Sequence, residues 1–445
     1  MTIGDRSKAP TIAYVTAGGA GMFCGSCMRD NALTAELHRR GVPITLIPTF
    51  TPIRVEEPDQ SDRHVFLGGI NVYLEQKFPS LGRLPRPIRR ALDHPALLRM
   101  LSRLALQTRS EEDALLALSL LQGTEGRQAS EIRDLVAFLA DEIQPDVVAL
   151  TNLLIAGFLP ELHRRSDATA RRPLVSVTLQ GDDIFLDTLR RADRQRVIEA
   201  MRKLVPLVDV FSTFTEDYGD RMAALFEIPR ERIVVVPLGL ADPEDVAPTK
   251  HGRPSDRPPT VGYLARICPE KGFGVLVDAF LRLRSLDGMN DARLRCGGWL
   301  GASDRPFFEE QVRKLEAAGA ADAFDHVELP DRPSKAALLQ SIDVFSVPAT
   351  YQECKGLYVL EALAAGVPVV QPSHGSFPEL IASTGGGELV PPNDPEALAE
   401  SLHALLLDPA RRNELGKQGR RGVLAGHTVA QMADATLAAW RSDPG

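Results

Sequence analysis

At 445 residues the chain is too long for one ordinary core, so two domains are expected. Hydrophobic residues make up 44% and charged residues 25%, the balance of a soluble globular protein. The net charge of −8 argues against nucleic-acid binding, and no apolar run is long enough to span a membrane.

The N-terminus, MTIGDRSKAPTIAYV, has no signal-peptide pattern and enters a strand almost at once. Five cysteines are a sparse, odd set that fits reduced thiols, and a cytoplasmic protein is expected. The first half alternates short apolar runs with helical periodicity, predicting an α/β domain with a parallel sheet. Its strands are expected at Thr11–Thr16, Val42–Ile47, Val147–Leu150, Leu174–Thr178, Val210–Thr213 and Ile233–Val236. The loop GGAGMFCGSC leads into a helix from about Arg29 to Arg40, and glycines such as Gly19 would let the backbone approach a ligand.

Residues 51–130 interrupt this alternation with a Pro-rich start and a helical stretch from about Pro87 to Leu121. Between Lys77 and Arg109, eight Lys or Arg stand against one acid, Asp93. A solvated helical face is the plain explanation. The sharper one is contact with an anionic partner, such as peripheral binding at the inner face of the membrane through residues 77–109.

Composition shifts to Asp, Pro, Lys and Gly over 241–259, which marks a linker between a first domain, 1–240, and a second, 260–425. In the second domain, strands are expected at Thr260–Leu264, Arg293–Cys296, Val327–Leu329, Val344–Val347 and Val367–Gln371. Helices are expected at Phe273–Leu286, Pro306–Ala318, Lys335–Ser341, Pro378–Ala382, Pro395–Leu407 and Arg411–Ala425. The last segment, 426–445, contains a helix, Val429–Trp440, expected to pack back on the first domain.

The most informative stretch runs from Ile342 to Val370. A buried strand is followed by a loop carrying Glu353, and a helix starts near Gly356 and ends at the stop signal Gly366-Val367-Pro368. The N–H groups of residues 355–358 would stand free at the positive end of that helix, a geometry suited to a diphosphate.

Three motifs in this half, and the stretch that enters the linker, resemble the group 1 retaining nucleotide-sugar glycosyltransferases. ARICPEKGF is similar to that family's Gly-Arg-Leu…Glu-Lys-Gly stretch, and ECKGLYVLEALAAGVPVV to its paired-glutamate motif. SHGSFPEL is similar to its Gly-Gly-x-x-Glu loop, and VVVPLGLAD to its Pro-Asn-Gly-Val-Asp. The resemblance implies a GT-B architecture: two facing Rossmann-like domains with parallel sheets, an interdomain cleft, the acceptor on the first domain and the donor on the second. The implied partners are a nucleotide-diphosphate sugar, UDP- or GDP-linked, and a hydroxyl acceptor that is a saccharide, lipid-linked or a small acidic molecule.

By the same resemblance, Arg266 and Lys271 would hold the phosphates with the helix start at Lys355, Gly356, Leu357 and Tyr358. Glu361 would take the ribose hydroxyls, Glu353 the donor sugar or reacting face, and Gly375 would complete the donor loop. Fixed cations suit a leaving group that gains negative charge as the glycosidic bond breaks. A front-face mechanism, in which the leaving phosphate takes the acceptor proton, needs no protein base. Where relatives carry a histidine after the fourth strand, this chain reads TLQGDDIF, so Gln180, Asp182 and Asp183 are the acceptor-side candidates, with capping as the plain role for the aspartates. Thr215 and Glu216 are further candidates.

The usual Gly before Arg266 is Ala265, and Lys355 replaces a Phe, which points to an extra acidic group on donor or acceptor. No metal ligand set is expected and no cofactor is required; a divalent metal assisting the diphosphate is kept as an option. Cys24, Cys27, Cys268 and Cys354 would edge the cleft, where small polar packing is favoured over zinc, an iron–sulfur cluster or redox chemistry. The rival functions are a sugar-nucleotide epimerase and a non-catalytic sugar-nucleotide-binding protein.

Overall fold

Short buried strands and half-buried helices alternate through the computed structural model and form two units, Met1–Pro237 with Met432–Gly445, and Leu238–Gln431. The structure describes residues 9–18, 24–68, 110–169, 171–243, 257–327, 329 and 331–441. Gly19, the basic segment 77–109 and most of the 241–259 linker lie outside the described residues.

In the first unit the strands are β1 (Ile12–Ala17), β2 (Ile44–Thr49), β3 (Val147–Leu150), β4 (Leu174–Thr178), β5 (Val210–Thr213) and β6 (Ile233–Val235). They pair in parallel in the order β2-β1-β3-β4-β5-β6. The connections include α1 (Gly25–Arg39), α2 (Ser110–Leu121), α3 (Ala129–Ala137), α4 (Leu159–Thr169), α5 (Asp182–Asp187), α6 (Arg191–Arg202) and α7 (Glu216–Phe226). Strands buried on both faces, such as β1 with Ile12, Ala13, Tyr14 and Val15, read as continuous apolar runs because helices cover both sides of a parallel sheet.

The second unit repeats the plan. Its strands are β7 (Thr260–Leu264), β8 (Arg293–Gly297), β9 (Phe324–Val327), β10 (Val344–Phe345), β11 (Val369–Pro372) and β12 (Gly387–Val390). Their order is β12-β11-β10-β7-β8-β9, all parallel. Between and after them lie α8 (Phe273–Arg284), α9 (Arg305–Ala317), α10 (Arg332–Gln340), α11 (Leu357–Ala364), α12 (Phe377–Thr384), α13 (Pro395–Leu407) and α14 (Pro409–Gly426), while α15 (Val429–Ala439) belongs from Met432 onward to the first unit. The chain order reverses between β7 and β10, and ligands of such sheets bind at that crevice beyond the strands' carboxyl ends.

Strands β2 and β11 are shifted by one or two residues from their expected bounds, and β9, β10 and β12 depart further. The β9 ladder lies at Phe324–Val327 instead of Val327–Leu329, with the Phe324 ring tilted against Phe308 at 6.2 Å between centroids. Strand β10 is limited to Val344–Phe345, flanked by bonds from Asp343 N–H to Thr260 O and from Ser346 N–H to Gly262 O, since Val347 and Pro348 already turn into the loop. Strand β12 had no sequence signal, because Gly387–Val390 is short and half exposed. Among the described residues, no helix is long and apolar enough to cross a membrane.

Candidate donor site in the second unit

The loops that leave β7 and β10 lie directly on each other. Gly272 has φ 71°, and a Cβ there would sit 1.7 Å from the carbonyl oxygen of Pro348. Only glycine allows this approach. The contact is sealed by Thr350 N–H donating to Glu270 O at 2.9 Å. As a result Lys271, from the loop that also carries Arg266, reaches Glu353, from the other.

Glu353 is buried, only 2% exposed. Its Oε2 accepts from Tyr351 OH at 2.8 Å, from Tyr358 OH at 3.1 Å and from Lys271 Nζ. Its Oε1 accepts from the Lys355 N–H at 3.2 Å. Burial alone would push this carboxyl up, but the Lys271 charge and hydrogen bond, then Lys355 and Tyr351, outweigh it and hold the pKa at about 2. Lys271 is held in turn: Nζ donates to Tyr351 OH at 2.5 Å and lies 5.1 Å from the ring centres of both Tyr351 and Tyr358. Its side chain is still 20% exposed, so it is buried on its partner's side and reachable from the other.

Arg266 is the open cation of the set, with a side chain 45% exposed. Its Nε donates to Cys268 Sγ at 3.3 Å and its Nη2 lies 3.6 Å from Glu270. The helix end is narrower than the sequence implied. Because Lys355 N–H is taken by Glu353 and α11 begins at Leu357 with Gly356 as its cap, the first-turn donors come from Gly356, Leu357 and Tyr358. Gly375 (φ 58°) packs onto the same loop, since a Cβ there would meet Glu353 N at 2.6 Å and O at 2.5 Å. Ser376 N–H donates to Glu353 O at 2.7 Å.

Glu361 carries an ion pair that the sequence did not reveal: Lys335 Nζ of α10 lies 2.8 Å from its Oε1. Tyr351 was also missed. Its place two residues before Glu353 was a usable signal, whereas nothing near Lys335 marks a partner 26 residues away.

In the first unit the acceptor-side candidates are tied into the fold. Asp182 is not a cap; Gly181 is. Asp182 Oδ1 accepts from Leu153 N–H at 2.9 Å, and burial pushes its carboxyl up to about 6 against that bond. Asp183 accepts from Tyr218 OH at 2.7 Å and Arg221 Nη2 at 3.0 Å. Thr215 caps α7 by accepting from Tyr218 N–H at 3.3 Å, and Glu216 pairs with Arg230.

Gln180 Nε2 donates to Thr151 Oγ1 at 2.6 Å, and Thr151 Oγ1 donates to Asp30 at 2.7 Å. Asp30 also accepts from Tyr14 OH at 3.0 Å and Thr16 Oγ1 at 2.8 Å, with Arg29 Nη1 at 3.1 Å. This buried cluster had no sequence signal beyond the neighbouring charges. Cys27 Sγ donates to Ala17 O at 3.2 Å, while Cys268 and Cys354 are buried in the second unit. Among the described residues no group of three or more His, Cys, Asp or Glu is placed to hold a metal ion.

Comparison with known proteins points the same way. Residues 248–422 match the family model described as "Glycosyl transferases group 1". The D-inositol 3-phosphate glycosyltransferase of Corynebacterium efficiens is 30% identical over 236 residues, 51% of this chain and 54% of the relative. The chain thus spans about half the length of the curated relatives it matches. Sucrose-phosphate synthase of Thermosynechococcus elongatus superposes with a TM-score of 0.68 at 17% identity, covering 97% of this chain and 98% of that one. Anabaena HepE in complex with UDP gives 0.65 at 14% identity over 96% and 98%.

Proposed function

Residues 248–422 are a group 1 glycosyl transferase domain in a two-domain GT-B fold, and from that premise we propose that the chain transfers a sugar, with retention, from a nucleotide-diphosphate donor to a hydroxyl acceptor. The observation that carries this is the Lys271–Glu353 pair at the reversal of strand order, on a loop that also carries Arg266. Arg266 and Lys271 take the diphosphate, joined by the first-turn N–H groups of α11. Glu353 holds Lys271 in place. Its sugar-facing role requires exchange of one of its present donors, because Oε2 already accepts three. Glu361 receives the ribose hydroxyls.

In the proposed step the acceptor oxygen bonds to the anomeric carbon on the face that the diphosphate leaves. The bond from that carbon to the phosphate oxygen breaks, and the same phosphate oxygen takes the acceptor proton. The products are the glycosylated acceptor and a nucleoside diphosphate. On the acceptor side, Gln180, Asp182 and Asp183 serve by holding the loop after β4, since each is buried and bonded. No protein base is assigned.

HepE was solved with UDP, which favours UDP as the first donor nucleotide to try. The Corynebacterium relative is named for a phosphorylated acceptor, and Lys355 gives this chain a cation where an acidic substrate would use one. The deciding assay offers UDP-, GDP- and ADP-sugars with neutral and phosphorylated polyols. Nucleotide release coupled to a new α-linked product supports the proposal. Sugar isomerisation without acceptor would indicate the epimerase, and tight binding with no transfer would indicate a binding protein.

A further inference from the structure

We propose that Lys335 is a positioning residue that fixes the Glu361 carboxylate for a vicinal diol and so makes the site selective for ribonucleotides over 2′-deoxyribonucleotides. This rests on the donor reading above, which gives Glu361 its ligand but assigns nothing to Lys335.

The placement of Lys335 is unusual for a surface lysine. It sits in the first turn of α10, whose start is capped by Asp331, Oδ1 accepting from Ser334 N–H at 2.9 Å and Ser334 Oγ at 2.6 Å. A cation is disfavoured at that positive helix end, so its position calls for a compensating anion. Glu361 supplies it at 2.8 Å, with side chains only 13% and 16% exposed. Helix α10 is anchored by buried Leu338 and Leu339, which fixes the root of the lysine.

The other partner is equally fixed. Glu361 follows Tyr358 by three positions on α11, so the two lie on one face of the helix. Tyr358 OH holds Glu353 at 3.1 Å. Two lysine–carboxylate pairs therefore stand in succession, Lys271–Glu353 in the loop before α11 and Lys335–Glu361 about one turn into the helix. The first lies where the diphosphate is proposed, and the second is about one turn along, the direction in which a ribose continues. A carboxylate accepts about four hydrogen bonds, so holding Oε1 on Lys335 sets the carboxylate plane and leaves capacity for two hydroxyls. A single 2′-hydroxyl then contributes through a carboxylate that cannot turn away.

The test measures dissociation constants of UDP, GDP and ADP, each against its 2′-deoxy counterpart, by calorimetry. Wild type, Lys335→Gln and Lys335→Arg are compared, with melting curves to confirm folding. We expect wild type to prefer the ribonucleotide by about tenfold, the worth of one charge-assisted bond. Lys335→Gln should lose most of that preference, and Lys335→Arg should restore it. Equal preference in wild type and Lys335→Gln would overturn the proposal and leave the donor reading standing. Failure of wild type to bind any of the three nucleotides would overturn the donor reading, and this proposal with it.

Discussion

Two buried carboxylates at the carboxyl edges of the two sheets titrate in opposite directions. Asp182 in the first unit is pushed up to about 6, because burial dominates and only backbone donors oppose it. Glu353 in the second unit is held at about 2, because Lys271 outweighs an equally complete burial. The difference lies in the partner, not in the depth. A similar contrast separates Asp30, whose partner Arg29 is sealed in the core at 2% exposure, from Glu353, whose lysine keeps an exposed side. In the first unit the polar cluster braces loops, and in the second the charged pair keeps an exposed side.

The largest effect that would break this contrast is expected from Asp30→Ala. It leaves Arg29 buried without its carboxylate, at a cost of about 3–5 kcal/mol in urea unfolding. A loss below about 1 kcal/mol would mean that the cluster does not brace the first unit. Lys271→Met should lower the turnover of sugar transfer by about 10²–10³-fold. The fold should survive, because Glu353 keeps Tyr351, Tyr358 and the Lys355 N–H.

Stability against pH sharpens the comparison next. Glu353, depressed from 4.5 to about 2, contributes stability that is present above pH 4.5 and lost as pH falls through about 2. Asp182, raised from 3.8 to about 6, contributes stability present below pH 3.8 and lost as pH rises through about 6. Each term is on the order of 3 kcal/mol. Unfolding of Glu353→Gln and Asp182→Asn between pH 2 and 7 should flatten the acid and the near-neutral limb respectively. If both substitutions flatten the same limb, the opposed assignment is wrong. The smallest effect belongs to Lys355→Met, which should cut activity on acidic acceptors about fivefold relative to neutral ones, as for a half-exposed ion pair.

The fold was largely legible because parallel strands buried on both faces read as apolar runs, and because the stretch around Gly366-Val367-Pro368 punctuates itself. Gly387–Val390 was not, since a short half-exposed edge strand that itself starts with the last of three glycines shows no period. The site was legible as a list of residues and illegible as a set of bonds. Arg266, Lys271, Glu353 and Glu361 stand in motifs, but the burial of Glu353 follows from contacts across 82 residues to Lys271. The pairing of Glu361 comes from a helix that precedes β10. Acids in loops read as solvated, and only the chain crossing between β7 and β10 makes this one dry.

The first unit is discontinuous in sequence, its helix from Met432 arriving only after all of Leu238–Gln431 has been made. Arg40 near its beginning bonds Asp434 at 2.5 Å, and Trp440 is buried. During synthesis at about 5–20 residues per second, the second unit therefore leaves the ribosome complete while the first still lacks its closing helix. The order of birth is the reverse of the order of sequence: the half that starts the chain is the last to be finished.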